Sequence, residues 1–273
     1  MRAADFSYFD AATPIALAHR GGTTYGPNVG IENTIRAFRH AVDLGFTHLE
    51  TDVHATADGE LIAFHDTSLD RVTNRTGLVK ELPYAVVAEA LIGGREPVPT
   101  LRELLTTFPN ARINIDIKDD AATQPTLDLI DELGVGDRVC LGAFSRPRIR
   151  EIRRRVGGRV ATAAGHLGSG SLRFSPALLT RLVHTPAPVL QIPGRYRLRG
   201  REFELVTGRL VQRAHALGKH VHVWFYPWQR QDERAMHALL DLGVDGLVVD
   251  DLEALTRVFA ARGHPLSYSR RDD

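Results

Sequence analysis

A (β/α)8 barrel of the TIM type, with a small insertion after the second or third strand, is the fold class the sequence predicts. Three observations carry it. Short apolar runs alternate along the whole chain with longer runs of helical spacing. The 273 residues suit one such barrel, for which roughly 250 is typical. Several apolar runs end in histidine or carboxylate, and the C-terminal strand ends of a parallel α/β barrel are where its chemistry sits.

In chain order, Ile15, Ala16, Leu17 and Ala18 form a strand closing in His19-Arg20-Gly21-Gly22. A Gly/Pro/Asn/Thr loop follows, then Asn33 or Thr34 caps a helix whose apolar positions are Ile35, Phe38, Val42 and Leu44, and Gly45 ends it. In residues 47–53 the strand period puts Glu50 and Asp52 on one face, where two carboxylates can grip one divalent cation. Strand, helix, strand implies a parallel pair with a right-handed crossover. Leu61, Ile62, Ala63 and Phe64 bury the next strand, and His65 follows where that strand meets solvent. Residues 67–99 are rich in turn residues, with one helix-like piece at 81–91, and read as an insertion over one barrel mouth. Pro99-Thr100 starts a helix through Leu101, Leu104 and Leu105. In residues 111–117 a strand sets Asn114, Asp116 and Lys118 on one face against Ile113, Ile115 and Ile117 on the other. Strand-like runs at 139–144, 159–163, 189–192, 220–224 and 246–249 then trade places with helix-like runs at 146–156, 176–184, 202–217, 232–242 and 252–261. That alternation alone is met by a closed or a doubly wound parallel sheet. Counting strand starts gives nine, or eight barrel strands if the second and third share a hairpin and one of them lies outside the barrel order. No repeat or linker-like shift divides residues 1–273, so one domain is expected.

The net charge of +1 argues against a nucleic-acid partner recognised through a large basic field. The arginine-rich stretches 146–159 and 195–201 read as a solvated helix face and a polar loop. Cys140, the one cysteine, has no internal disulfide partner. The N-terminal residues hold no apolar run of signal-peptide or membrane-span length, so a cytoplasmic, soluble protein without stable membrane insertion is expected. Nothing in the sequence fixes its oligomeric state.

His19 and His65 at strand ends, the carboxylates Glu50, Asp52 and Asp116, and the cations Arg20 and Lys118 together suit a phosphoester. A divalent ion polarises phosphoryl oxygens, Arg and Lys neutralise transition-state charge, and paired histidines move protons on and off oxygen. A lone strand-end histidine is more often a rim residue and a lone Glu-x-Asp a solvated edge. Their joint placement at successive strand ends is what points to chemistry.

Taken in order, His19-Arg20-Gly21, Glu32-Asn33-Thr34, Glu50-Thr51-Asp52, His65-Asp66 and Asn114-Ile115-Asp116-Ile117-Lys118 resemble the signature of the glycerophosphodiester phosphodiesterase family. The likeness extends to Val98-Pro99-Thr100-Leu101, to residues 221–224 after Gly218, and to Gly243-Val244-Asp245-Gly246-Leu247-Val248-Val249-Asp250, spanning Ile15 to about Leu255. The resemblance implies a barrel similar to phosphatidylinositol-specific phospholipase C that cleaves a small-molecule glycerophosphodiester to sn-glycerol 3-phosphate and an alcohol. It implies His19 and His65 as acid/base pair, Glu50, Asp52 and Asp116 as ligands of one Mg²⁺ or Ca²⁺ with Mn²⁺ as a third candidate, and Arg20 and Lys118 as phosphate contacts. It gives Glu32 and Asn33 supporting roles and sets Trp224 at the mouth, where a core aromatic is the competing reading.

This chain departs from the family in several ways. The loop from His19 to Glu32 is longer, and Ile31 stands where proline is common, so a reshaped entrance is expected. Phe225-Tyr226-Pro227 replaces the commoner Thr-Val-Asn and brings an aromatic rim. Asp116 replaces a glutamate. The insertion is short, so no large lid is expected. Which histidine is acid, and whether a cyclic phosphate forms before hydrolysis, is left open. A lysophospholipase D-like or sphingomyelinase D-like enzyme would use the same residues on lipid, with Phe225-Tyr226-Pro227-Trp228 as its candidate lipid-facing loop. A non-catalytic phosphodiester-binding barrel would be favoured by a missing histidine, and both are present.

Overall fold

The computed structural model describes residues 1–164, 185–198, 200–229 and 231–266. Its strands are β1 (Ile15–His19), β2 (His48–Ala55), β3 (Leu61–Ala63), β4 (Leu91–Ile92), β5 (Glu96–Pro97), β6 (Arg112–Ile117), β7 (Val139–Gly142), β8 (Ala161–Ala164), β9 (Val189–Pro193), β10 (Arg195–Leu198), β11 (Arg201–Glu204), β12 (His220–Trp224) and β13 (Gly246–Val249). Eight run parallel in the order β1-β2-β6-β7-β8-β9-β12-β13, and β13 pairs back onto β1 to close the barrel.

β3 is the ninth strand start. It pairs antiparallel with β2, Val53 against Ala63 and Ala55 against Leu61, so it lies outside the barrel order. β2 overshoots the rim and β3 returns toward it. The Phe64 N–H then donates to the Asp52 carbonyl, which brings His65 beside the end of the parallel strand. His65 therefore reaches the rim from an antiparallel hook rather than from the end of a parallel strand.

The helices are α1 (Ile35–Asp43), α2 (Tyr84–Val87), α3 (Leu101–Thr107), α4 (Thr123–Leu133), α5 (Arg146–Val156), α6 (Gly208–Ala216), α7 (Glu233–Asp241) and α8 (Leu252–Ala261). Thr34 and Thr100 cap α1 and α3, their hydroxyls accepting from Ala37 N and Glu103 N. The strand period sorts each strand. Leu49, Val53, Ile113, Ile115, Val221 and Val223 pack with the helices in one large core, while alternate residues face the lumen. The lumen floor is filled by Tyr8 and Phe9 of an N-terminal 3₁₀ turn, packed with Cys140, Ala161 and Val189.

Several expectations change in detail. The helix read at 202–217 begins only at Gly208, because residues 195–204 fold as the β10–β11 hairpin and Thr207 supplies the cap. The polar loop read at 195–201 belongs to that hairpin, whose Arg197 pairs with Glu202 at 2.7 Å. The helical piece read at 81–91 shrinks to the single turn of α2 after a 3₁₀ turn. α4 is an additional helix, and the helix read at 176–184 lies outside the described residues. The 146–159 arginines are not all solvated. Arg148 donates to the Ile117 and Lys118 carbonyls, and Arg153 to the Ala163 carbonyl. Residues 67–99 carry their own small core, in which Leu69, Val79, Val87, Ala90, Ile92 and Val98 pack against Ile62 and Phe64. Among the described residues, no helix is long and apolar enough to cross a membrane.

Candidate active site

The strand registers gather the polar residues on one rim. His19 is opposite Glu50, Glu50 opposite Asn114, and Asp52 opposite Asp116. All lie on lumen-facing positions at the C-terminal strand ends, around a cavity of about 1040 Å³. His19, Arg20, Glu32, Glu50, Asp52, His65, Asp116, Lys118 and Trp224 all line it. Asn33 lies just behind, its amide donating to Asp52 at 3.3 Å while its oxygen accepts from Thr51.

Two residues take a left-handed backbone that only glycine adopts easily, Arg20 at φ 50° and Asn33 at φ 59°. The Asn33 N–H donates to the Arg20 carbonyl, so the two unusual conformations brace each other and aim the Arg20 side chain over Asp52. Strain of this kind persists only where the surroundings enforce it, and it gathers at functional sites. Gly21 cannot be replaced easily, since a Cβ there would fall 2.7 Å from that of Ala37. Ile31 is fully buried.

Charges alternate across the site. Lys118 Nζ is 2.7 Å from both Asp52 and Asp116, and Arg20 Nε is 2.9 Å from Asp52. Burial alone would raise the Asp52 carboxyl, but Lys118 and Arg20 outweigh it and hold Asp52 well below the usual range. Burial opposes the charge on Lys118 too, and Asp52 and Asp116 overcome it to raise its pKa. At Asp116 burial wins over Lys118, and the pKa rises. Glu50 is also raised, by burial and then by the Asp52 charge, and His19 Nε2 lies 3.8 Å from it.

Each histidine carries an aspartate on Nδ1. His19 Nδ1 is 2.7 Å from Asp250 Oδ1, and His65 Nδ1 is 2.6 Å from Asp66 Oδ1. An ionised carboxylate only accepts, so the proton sits on Nδ1 and Nε2 is left to face the cavity. Asp250 is held well below the usual carboxylate range because His19 and its other donors outweigh burial. Thr23 donates to its Oδ1, Gln231 Nε2 to its Oδ2, and the Asp250 N–H to Gln231 Oε1. Burial lowers the His19 pKa, yet Asp250 and Glu50 raise it overall, whereas burial prevails at His65 and lowers it. His54 steadies the hook, one ring nitrogen 3.1 Å from the His65 carbonyl and the other 2.8 Å from Asp119.

Asp250, Asp66, Gln231 and Arg71 join the site without having been candidates from strand period or residue type. Asp250 had a usable signal, a carboxylate at the end of the apolar strand Leu247-Val248-Val249. Opposite the charged wall stand aromatics. Trp224 meets Phe144 edge-on at 6.1 Å and Tyr226 at 4.5 Å, and Tyr226 stacks on Trp228. Trp224 is thus half-buried on the cavity wall rather than in the core.

The model of the glycerophosphoryl diester phosphodiesterase family matches residues 19–254, which is nearly the whole barrel and every residue of this rim. The chain belongs to that family. Membership makes it a phosphoric diester hydrolase of the glycerophosphodiester phosphodiesterase class. A Mycobacterium tuberculosis relative named probable glycerophosphodiester phosphodiesterase 2 is 36% identical over 91% of this chain and 92% of its own length. A human lysophospholipase D is 26% identical over 86% of this chain and 82% of its own. Among solved structures, an Oleispira antarctica phosphodiesterase in complex with the product sn-glycerol-3-phosphate shares the fold, with a TM-score of 0.72 at 20% identity over 91% of this chain and 97% of that one.

Proposed function

We propose that the protein hydrolyses small glycerophosphodiesters to sn-glycerol 3-phosphate and an alcohol, with His19 and His65 as the acid/base pair. The observation that carries this is two imidazoles at one rim, each fixed by an aspartate on Nδ1, flanking Arg20 and Lys118. Arg20 and Lys118 counter the charge that builds on the phosphoryl oxygens. As the P–O bond to the incoming oxygen forms, one histidine takes that oxygen's proton. The other, entering the step protonated on both ring nitrogens, gives its Nε2 proton to the leaving alkoxide as the second P–O bond breaks and keeps the Nδ1 proton on its aspartate. The attacking group is water, or the adjacent glycerol hydroxyl with water opening a cyclic phosphate afterwards.

The donor set fits a hard divalent cation. Glu50, Asp52 and Asp116 offer only carboxylate oxygens, which suit Mg²⁺, Ca²⁺ or Mn²⁺. Glu50, raised by burial beside the Asp52 charge, is the carboxylate such an ion would most relieve. Among the described residues no three such groups are already gathered into a cage, since Lys118 draws Asp52 and Asp116 to itself. A bound cation would polarise a phosphoryl oxygen as a Lewis acid. The aromatic wall formed by Phe144, Trp224, Tyr226 and Trp228 favours a second reading, in which a lysophospholipid is the diester.

Release of sn-glycerol 3-phosphate from glycerophosphocholine and glycerophosphoethanolamine, and of choline from lysophosphatidylcholine, each with and without chelator, tests both readings. Chelator-sensitive turnover of the deacylated diesters is expected. No turnover of any of the three overturns the proposal.

A further inference from the structure

Arg71 lines the cavity but comes from the 67–99 insertion, outside the barrel. Its guanidinium is not offered to a ligand. NH1 and NH2 donate to the two oxygens of Glu32 at 2.9 and 2.8 Å, while Nε and NH2 donate to the two oxygens of Asp66. Two forked contacts consume nearly all of the five donors an arginine carries. The residues so clamped are themselves partners of the reacting groups. Glu32 lies 3.4 Å from Arg20, and Asp66 holds His65 Nδ1 at 2.6 Å. A single alternating chain results, running Lys118, Asp52, Arg20, Glu32, Arg71, Asp66, His65.

We propose that Arg71 is a positioning residue, the clamp through which the insertion fixes both His65, by way of Asp66, and Arg20, by way of Glu32. Asp66 follows His65 directly and stands where the chain leaves the hook, with only 23% of its side chain exposed. Without Arg71 it is free to turn to solvent and take His65 with it. Half of the Arg71 side chain is exposed, so charge alone is screened and the effect resides in the fork geometry. The insertion thus belongs to the reaction apparatus. The proposal rests on the acid/base role given to His65.

The test is a double-mutant cycle of Arg71→Ala and Asp66→Asn on the full chain, with glycerophosphocholine as substrate and circular dichroism as the check of fold. Each single variant is expected to lose at least about tenfold in kcat, and the double variant to fall no more than about threefold below the slower single, because both changes break one linkage. Guanidinium ion is expected to restore part of the Arg71→Ala rate where the same concentration of sodium chloride does not. Arg71→Lys keeps the charge without the fork and is expected to stay at least about fivefold slow. Losses that multiply in the double variant overturn the clamp, as does Arg71→Lys at the wild-type rate. Should Arg71→Ala fail to fold, Arg71→Lys decides alone, turnover at least about fivefold slow supporting the clamp and the wild-type rate overturning it. His65→Ala is measured alongside. Full turnover there removes the reading of His65, whereas an inactive His65→Ala with a multiplicative cycle removes only the clamp.

Discussion

Replacing Asp250 by asparagine is a near-isosteric change whose effect can be worked from the hydrogen bonds around it. Gln231 cannot turn to accommodate it, because its Oε1 already accepts the Asp250 backbone N–H and its Nε2 must therefore face Oδ2. An asparagine NH₂ at the Oδ2 position meets that donor. At the Oδ1 position it meets the His19 N–H and the Thr23 hydroxyl. In the first orientation His19 keeps its tautomer and exchanges a charge-assisted bond for a neutral one. A charged hydrogen bond is worth about 1.5–3 kcal/mol, which corresponds to roughly 10–150-fold in rate if all of it is felt in the transition state. In the second, Nδ1 must accept, the proton moves to Nε2, and the wrong tautomer faces the substrate. That error costs about 10⁴-fold in a serine-protease triad. Asp250→Asn is therefore expected to lose between about tenfold and ~10⁴-fold in kcat with a thermal midpoint close to wild type. Steady-state release of sn-glycerol 3-phosphate measures it. A folded Asp250→Asn enzyme within about threefold of wild type would show that the aspartate does not govern His19.

His19→Ala and His65→Ala are each expected to lose about 10²–10⁴-fold in turnover while keeping the wild-type circular dichroism spectrum, and a folded variant within threefold clears that histidine of a role. Glu50→Gln is expected to abolish metal-stimulated turnover, which fails if titrated Mg²⁺ restores the wild-type rate. Asp116 is one methylene shorter than the family glutamate, which leaves its oxygens about 1–1.5 Å short on an unchanged strand. Asp116→Glu should then shift preference from Ca²⁺ toward Mg²⁺, read from activity against each ion, and unchanged preference removes Asp116 as a direct ligand. His222 is fully buried, neither ring nitrogen has a hydrogen-bond partner among the described residues, and burial holds its pKa well below 6.5. Its folded pKa is depressed, so the unfolded chain takes the proton first. Stability is complete above about pH 6.5 and falls below it by about 1.4 kcal/mol per pH unit for this one group. Urea unfolding at pH 7.5 and 5.5 should show a shallower acid loss in His222→Leu, and an unchanged loss refutes the assignment.

The strand-end chemistry was legible because period-two alternation fixes a side chain's face without reference to the partner strand. Glu50, Asp52, Asp116 and Lys118 fell on one rim for that reason. Asp250 escaped because it is followed by Asp251, and the pair reads as a helix start. The structure splits them, Asp251 capping α8 through Ala254 N and Asp250 turning to His19. Arg71 sits in turn-rich sequence with no period to orient it, and its partners are 5 and 39 residues away. Helix α4 opens on Ala122 without a side-chain cap, so no start signal marked it. The hairpin at 195–204 was hidden because its alternating charged residues suit a strand edge as well as a polar loop followed by an amphipathic helix.

The hook that carries His65 gives the enzyme a separate adjustment of its reaction geometry. Its turn is five residues long: Thr56 accepts from the Glu60 N–H and donates to Asp58, Gly59 takes φ 86°, and hydrogen bonds from the Ala57 N–H to the Leu82 carbonyl and from the Tyr84 N–H to Asp58 tie it to the insertion. Because this turn lies above the barrel, a change in its length leaves the eight ladder pairings below in place and falls instead on the hook's own contacts, the Ile62 pairing with Thr100 and the Ala63 N–H to the Pro99 carbonyl. The spacing between the two imidazoles could thereby drift in evolution or be tuned by design, at little cost to the scaffold that holds the first of them.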